Sequence, residues 1–389
     1  MPDTTDTEAR LLAELDRFDL VDLLRQLVRR RSDTSEADVA EYLQRRWQDR
    51  GIHTIVTEVE PGRCNVTAEA GDSGPSILLN SHMDTVPPGQ RERWTADPFG
   101  GEVRNGRLYG RGAVDAKGCL AAMIAAFETL AATGVNGRLV LSAVSMEESG
   151  GMGTQREVGR GLRADAAIIG EPTNLQPNLG HRGAMRVEIE ARGLPAHSAH
   201  PDSGINAIAA MAPVIIALEQ LDRRLAGRLD AILHQRPCLT ATVIQGGDAG
   251  NVVPARCSLL LDRRTLPTER EMDVAAEIEA AIIDATRESR AEVRLQPVRW
   301  TQGAVTDPSD AIAQTLCDAA ATIRGQAPAP AGFFACCDMT FLSAIGIPTV
   351  IFGPGEERMC HVFDESMALD DLRHGAQVYA LTAQRWLRN

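Results

Sequence analysis

Apolar positions in the first half of the chain alternate between two spacings. Over residues 11–31 and 35–50 they recur every third or fourth residue, the period of a helix with one buried face. Residues 76–80 form a short apolar run that stops at Ser81-His82. Residues 116–130 return to helical spacing through Leu120, Met123, Ile124 and Phe127. A second apolar run, 138–144, leads into Met146-Glu147-Glu148, and a third, 166–169, into Gly170-Glu171. Short apolar runs separated by helices predict a mainly parallel sheet covered on both faces, an α/β fold.

Beyond residue 180 the pattern changes. Residues 184–191 alternate strictly, with Met185, Val187 and Ile189 on one face. A helix is predicted over 204–223, strands over 239–244 and 256–264, a helix over 269–288, and a last strand over 291–296. The order β-α-β-β-α-β is that of a ferredoxin-like unit. Residues 180–296 are therefore expected to form a domain inserted into a larger one, made of 1–179 and 297–389. The larger domain resumes with a helix over 308–323 and a strand over 348–352, then the sharp turn Gly353-Pro354-Gly355. A chain of 389 residues exceeds what one core usually holds, which fits two domains.

The formal net charge of -13 argues against nucleic acid as a partner, because phosphate binding needs a basic face. Apolar runs such as 211–218 are too short to span a bilayer. Residues 1–10 are acidic and polar, so no signal peptide is expected. The eight cysteines show no C-x-x-C and no paired spacing, which reads as reduced thiols in a cytoplasmic protein.

The chemistry lies in where the ligand-type residues fall. His82, Glu147, Glu148 and Glu171 sit just past the ends of predicted strands, and His361 a few residues past another. Asp115 follows the glycine-rich Gly110-Arg111-Gly112 and opens a helix. In an open α/β sheet, ligands bind in the crevice outside the carboxyl ends of the strands. Two imidazoles and several carboxylates without thiolate suit zinc. Two metals could share one carboxylate and one water, with Asp115, Glu148 and Glu171 balancing their charge and Glu147 left free as a general base.

Taken together, the motifs resemble those of the zinc amidohydrolases that include acetylornithine deacetylase, succinyl-diaminopimelate desuccinylase, aminoacylase-1 and glutamate carboxypeptidase. The resemblance rests on Ser81-His82-Met83-Asp84-Thr85-Val86-Pro87, on Gly110 to Gly118, on Glu147-Glu148 and on Gly170-Glu171-Pro172-Thr173. It continues through Asn251-Val252-Val253-Pro254 and through Phe352-Gly353-Pro354-Gly355 leading to His361. It implies a dizinc catalytic domain with an inserted lid or dimerisation domain. His82 and Glu171 are then ligands of one zinc, Glu148 and His361 of the other, and Asp115 the bridge. Cobalt or manganese are alternative metals.

The same resemblance makes Glu147 the base, Asp84 the carboxylate that orients His82, and the Asp115–Ala116 peptide cis. His197 would stabilise the oxyanion, from the partner subunit in dimeric relatives, with His200 a nearby competitor. Asn251, Arg264, Arg182 and Gly353 would contact substrate, Arg264 and Arg182 as carboxylate-binding candidates, with Arg263 the neighbouring alternative to Arg264. The expected reaction is hydrolysis of the amide bond of an N-acyl amino acid by a metal-bridging water, in a homodimer. A di- or carboxypeptidase and a non-catalytic metal-dependent binding protein are the alternatives. Cys337-Asp338-Met339 and Cys360 depart from the usual pattern of such enzymes.

Overall fold

A computed structural model of the chain describes residues 4–388. They form two compact units. The larger runs to Gly180 and resumes over Thr306–Phe333 and from Cys337 onward, and the smaller comprises His181–Val305 with Phe334–Cys336.

The larger unit is built on a mixed sheet. Strand Ser76–His82 lies between Arg138–Val144 and Ala166–Gly170, parallel to both, and Thr349–Phe352 continues the parallel set. These strands are buried on both faces, which is why they read as unbroken apolar runs rather than alternating ones. An antiparallel hairpin, His53–Glu60 with Arg63–Gly71, is joined to Arg138–Val144. The hairpin is rich in Thr, Val and Glu and only partly buried, so it lacks the apolar run that marks the inner strands.

Helix Lys117–Thr133 is apolar nearly all round and is buried to Leu130 between the sheet and the C-terminal helix Leu369–Trp386. The single helical stretch expected over 11–31 is instead two helices, Thr4–Leu15 and Leu20–Arg29. Asp19 starts the second, its carboxylate accepting the Asp22 N–H at 2.9 Å. An N-cap of this kind contributes about 1 kcal/mol.

The smaller unit has the four-stranded antiparallel order Cys238–Gly246, Arg256–Thr265, Gly183–Arg192, Glu292–Thr301. Helices Ala207–Leu225 and Glu271–Ala285 supply the crossovers. Met185, Val187 and Ile189 join Met211, Leu218, Leu259, Leu261 and Ile278 in its core. Burying each large side chain contributes about 1.5–3 kcal/mol. The last strand runs past Gln296 because a bulge between Pro297 and Arg299 accommodates the proline on an edge strand.

No helix among the described residues is long and apolar enough to cross a membrane.

Candidate metal centre

Three parallel strands of the larger unit end along one edge. His82 pairs with Val144 and Asn80 with Ile169 across the ladders. The residues that follow those positions must therefore emerge side by side, which brings Glu147, Glu148 and Glu171 to the level of His82. Asp115 arrives on the loop before Lys117–Thr133, and His361 on the loop after Thr349–Phe352.

Asp115 sits at the middle. Its Oδ1 lies 3.1 Å from His82 Nε2, and its Oδ2 lies 3.2 Å from His361 Nε2. His82 Nε2 is 3.9 Å from Glu171 Oε1, and His361 Nε2 is 2.9 Å from Glu148 Oε1. Two three-residue clusters result, His82–Asp115–Glu171 and Asp115–Glu148–His361, and they share Asp115. Glu147 belongs to neither.

The surrounding backbone is held in place by buried carboxylates. His82 Nδ1 lies 2.9 Å from the Asp84 carbonyl, which can accept its N–H and so turns Nε2 toward Asp115. The Asp84 side chain does something the sequence does not disclose. Its two oxygens accept the backbone N–H groups of Glu147 and Glu148, each at 3.1 Å. Asp84 thus fixes the acidic pair as well as the histidine. Met146 and His361 both have positive φ, 61° each, an unfavourable conformation for residues with a Cβ.

Glu365 performs the equivalent task for Asp115. It is fully buried, and one oxygen accepts Val114 N–H at 2.8 Å and Asp115 N–H at 3.1 Å. The other oxygen accepts Arg111 Nη1 at 2.6 Å. Gly112 allows this loop to turn, since its φ is +81° and a Cβ there would lie 2.5 Å from Thr85. The Asp115–Ala116 peptide is cis.

The ionisation pattern follows from crowding. Burial pushes the Glu147 carboxyl well above its usual range, and Glu171 pushes it further. Burial does the same to Glu171, with Asp115 and Glu148 adding repulsion. Asp338, buried and bonded to Thr154 Oγ1 at 2.6 Å, is raised to about 6, chiefly by burial. The imidazoles move up as well. Hydrogen bonds to Asp115 and Glu148 raise His361 to about 10, and at His82 the bonds to Asp115 and Asp84 outweigh burial. Asp115 itself falls below the carboxylate range, because those two histidines more than offset its burial. The cluster thus holds protons that isolated groups would release, and a cation that displaced them would find several anionic ligands.

Divalent metals fit this donor set. Ligand bonds of about 2.0–2.2 Å in tetrahedral geometry put neighbouring ligand atoms roughly 3.3 Å apart. The contacts within the two clusters bracket that value. Nitrogen and oxygen donors, with one carboxylate common to both clusters, match a two-metal site.

The remaining sequence-nominated residues belong to neither cluster. Gly353 is buried, and its carbonyl accepts the Leu175 N–H at 3.0 Å. A Cβ there would lie 2.5 Å from the Glu171 carbonyl. Its structural effect is to shape the turn behind Glu171. His197, Asn251, Arg182 and Arg264 belong to the smaller unit. His197 is exposed, and its Nδ1 accepts the Ala199 N–H at 3.1 Å, so its proton resides on Nε2 as a donor. The Asn251 carbonyl accepts Ser198 N–H at 2.9 Å, which ties its loop to that of His197. Arg263 and Arg264 face opposite ways. Arg263 is buried against Glu269 at 2.8 Å, while Arg264 is part-exposed and bonded to Asp262 at 2.7 Å. Arg182 Nη1 donates to the Arg236 carbonyl at 2.8 Å.

Sequence reasoning passes over Glu365 and Thr154; it meets Arg111 only as part of a glycine-rich motif and Asp338 only as part of a departure from the usual pattern. Glu365 stands in an irregular loop with no periodicity around it. Its one available signal is its place four residues after His361.

The sequence profile of peptidase family M20/M25/M40 matches residues 78–385. The chain is 32% identical over 320 residues to an acetylornithine deacetylase of Proteus mirabilis, an alignment covering 79% of this chain and 80% of that protein. Its fold is similar to that of an M20 family metallo-carboxypeptidase from Sulfolobus solfataricus, with a TM-score of 0.78 at 20% identity, covering 96% of this chain and 100% of that one. It is also similar to a dinuclear metal-binding peptidase of the M20 family from Bacillus subtilis, with a TM-score of 0.74 at 18% identity, covering 97% and 99%.

Proposed function

The chain belongs to peptidase family M20/M25/M40 and is a metal-dependent amidohydrolase, and from that premise we propose that it removes the acyl group of an N-acyl-L-amino acid by hydrolysing the amide bond. The observation that carries the reading is the pair of clusters sharing Asp115, with Glu147 beside them and part of neither. Identity to an acetylornithine deacetylase supports the deacylase branch.

His82, Asp115 and Glu171 would hold one cation, and Asp115, Glu148 and His361 the other. Two zinc ions, with cobalt or manganese as alternatives, would polarise the scissile carbonyl and acidify water. Asp84 and Glu365 keep these ligands aimed, through the backbone groups they accept. Glu147 takes the proton of the attacking water and returns it to the leaving amine. Burial raises its pKa above the usual carboxylate range, the direction that favours holding the proton between acceptance and donation. His197 offers its Nε2–H to the oxyanion, and Asn251 sits on the adjoining loop. Arg264 takes the substrate carboxylate, with Arg182 the second candidate for that role.

The active form is a homodimer in this reading. Strand Cys238–Gly246 is an edge of the smaller unit's sheet, and its Val243 and Ile244 are exposed, as are Ile208 and Ile216 on the following layer. An open apolar edge is a pairing surface, and a second copy covers it. All eight cysteines are free thiols, in keeping with a cytoplasmic setting.

The test is free-amine release from a panel of N-acetyl and N-succinyl amino acids and dipeptides, with zinc or cobalt restored after chelation. Turnover of acyl amino acids, lost with chelator, is expected. Turnover of dipeptides alone would move the protein to the peptidase branch, and no turnover with two metals bound would favour a binding role.

A further inference from the structure

Residues Ser145 to Glu148 leave strand Arg138–Val144 and carry the acidic pair into the metal centre. Their four consecutive backbone N–H groups are each accepted by a side chain. Asn65 Oδ1 takes Ser145 at 2.9 Å, Glu36 Oε1 takes Met146 at 3.4 Å, and Asp84 takes Glu147 and Glu148 at 3.1 Å. Asp84 belongs to the His82 motif. Glu36 and Asn65 do not, and both precede residue 78, where the match to the family profile begins.

They reach the loop by different routes. Strand Arg63–Gly71 runs antiparallel to Arg138–Val144 and sets Val66 opposite Ala143. Arg63 and Asn65, on one face of it, therefore lie beside the residues that follow Val144. Asn65 Nδ2 donates to the Gly153 carbonyl at 2.9 Å and to Glu157 at 2.8 Å, which closes the loop at its far end. Glu36, just before helix Ala37–Gln48, is wholly buried and receives Arg63 Nε and Nη2, each at 2.5 Å. A buried ion pair is often no more stabilising than apolar side chains of the same volume, so stability alone does not account for this one.

Its use lies at Met146. A φ of +61° is unfavourable for a residue with a Cβ and persists only where the surroundings fix it. Glu36 accepts the Met146 N–H, and the Met146 carbonyl accepts Gly151 N–H at 2.8 Å. The turn made here sends the next two carboxylates to different places, Glu148 into the cluster with Asp115 and His361, and Glu147 outside both clusters.

We propose that Glu36 is a positioning residue for hydrolysis. By holding the left-handed turn at Met146 it keeps Glu147 apart from the metal ligands and aimed at the attacking water, with Arg63 and Asn65 completing the clamp. The inference rests on the reading of Glu147 as general base.

Two double variants separate the acceptor from the ion pair. Glu36→Met with Arg63→Met puts apolar chains of similar size in place of the pair and leaves Met146 N–H without a partner. Glu36→Gln with Arg63→Met also removes the pair but keeps an amide oxygen for that N–H. Residue-resolved hydrogen exchange on the metal-free proteins should show the amides of Met146 to Glu148 exchanging about tenfold faster in the first than in the second. With zinc restored, kcat for the N-acetyl amino acids of the panel should be about ten- to a hundredfold lower in the first than in the second, at similar KM and with two metals per chain in both. Equal exchange in the two, or a kcat that does not separate them, overturns the proposal. The native protein supplies a reading that needs no variant to fold. Its Met146 amide should exchange about a hundredfold slower than an amide in an exposed loop, and free exchange there overturns the proposal as well. Full activity in Glu147→Gln would instead overturn the base reading, while the exchange rates still decide whether Glu36 holds the loop.

Discussion

The smaller unit and the ligand cluster of the larger unit handle charge in opposite ways. In the smaller unit most carboxylates have an arginine of their own. Glu269 is matched by buried Arg263 at 2.8 Å, and Glu190 by Arg192 and Arg256. In the larger unit Glu147, Glu148, Glu171 and Asp115 crowd the ends of buried strands, with two histidines and no arginine between them. Leaving buried carboxylates uncompensated costs several kcal/mol per group. Such groups either stay protonated, the direction in which Glu147 and Glu171 are shifted, or ionise when an external cation completes the balance. The difference teaches where to look for a metal: where carboxylates and histidines crowd together with no arginine among them.

The comparison can be broken most sharply at Glu147. Glu147→Gln should bind two metals per chain as the native protein does, by elemental analysis, and yet lose about 10²–10⁴ in kcat. Near-normal turnover would remove Glu147 from the chemistry. In the smaller unit the largest effect should be on stability instead. Ile189→Ala leaves a cavity under the two helices and should cost about 2–5 kcal/mol in urea unfolding, with metal stoichiometry unchanged. Lost metal binding in that variant would show that the units are not separable in this way.

Glu365→Gln sharpens the contrast without touching a ligand. The amide keeps the volume but loses the charge that answers Arg111 and the acceptor strength at Asp115 N–H. Metal affinity should weaken about 10- to 100-fold in a competition titration, the usual effect of disturbing groups that orient ligands. Unaltered affinity would mean that the Asp115 loop holds its shape unaided.

The smallest effect concerns pH. Glu147 and Glu171 have pKa values raised above those of an unfolded chain, and His361 is raised to about 10. A raised pKa contributes stability below the unfolded value and loses it as pH climbs through the folded one. The depressed pKa of Asp115 acts only at more acidic pH. The metal-free protein should therefore lose stability from about pH 6.5 upward through His82, His361 and the two glutamates, an effect that buried Lys117, lowered to about 7, opposes above pH 7. With metal bound the slope should reverse over the lower part of that range, because ligation displaces protons. Parallel profiles with and without metal would contradict the electrostatic account.

Much was legible before any coordinates. The inner strands announced themselves as apolar runs, since a strand buried on both faces has no polar side to show. Each ends at a ligand-type residue, which marked His82, Glu147, Glu148 and Glu171 together. The strict alternation around Met185, Val187 and Ile189 disclosed a sheet with one covered face. These are local properties, written in the period of the side chains. The hairpin at 53–71, the break at Asp19 and the strand past Pro297 were not legible. Each depends on which neighbour pairs with it or caps it.

The sequence by itself determined the element types, the inserted unit and the identity of the acidic and histidine residues, because hydrophobic period and residue chemistry act over a few positions. Only the tertiary structure decided that Asp115 stands between the two histidines, that Asp84 grips the Glu147-Glu148 backbone, that Glu365 holds the Asp115 loop from 250 residues away, and that Arg186 stands between Asp262 and Arg299 across the smaller sheet. Those relations join residues far apart in the chain, and hydrogen-bond distance is a property of the folded backbone that no local pattern encodes.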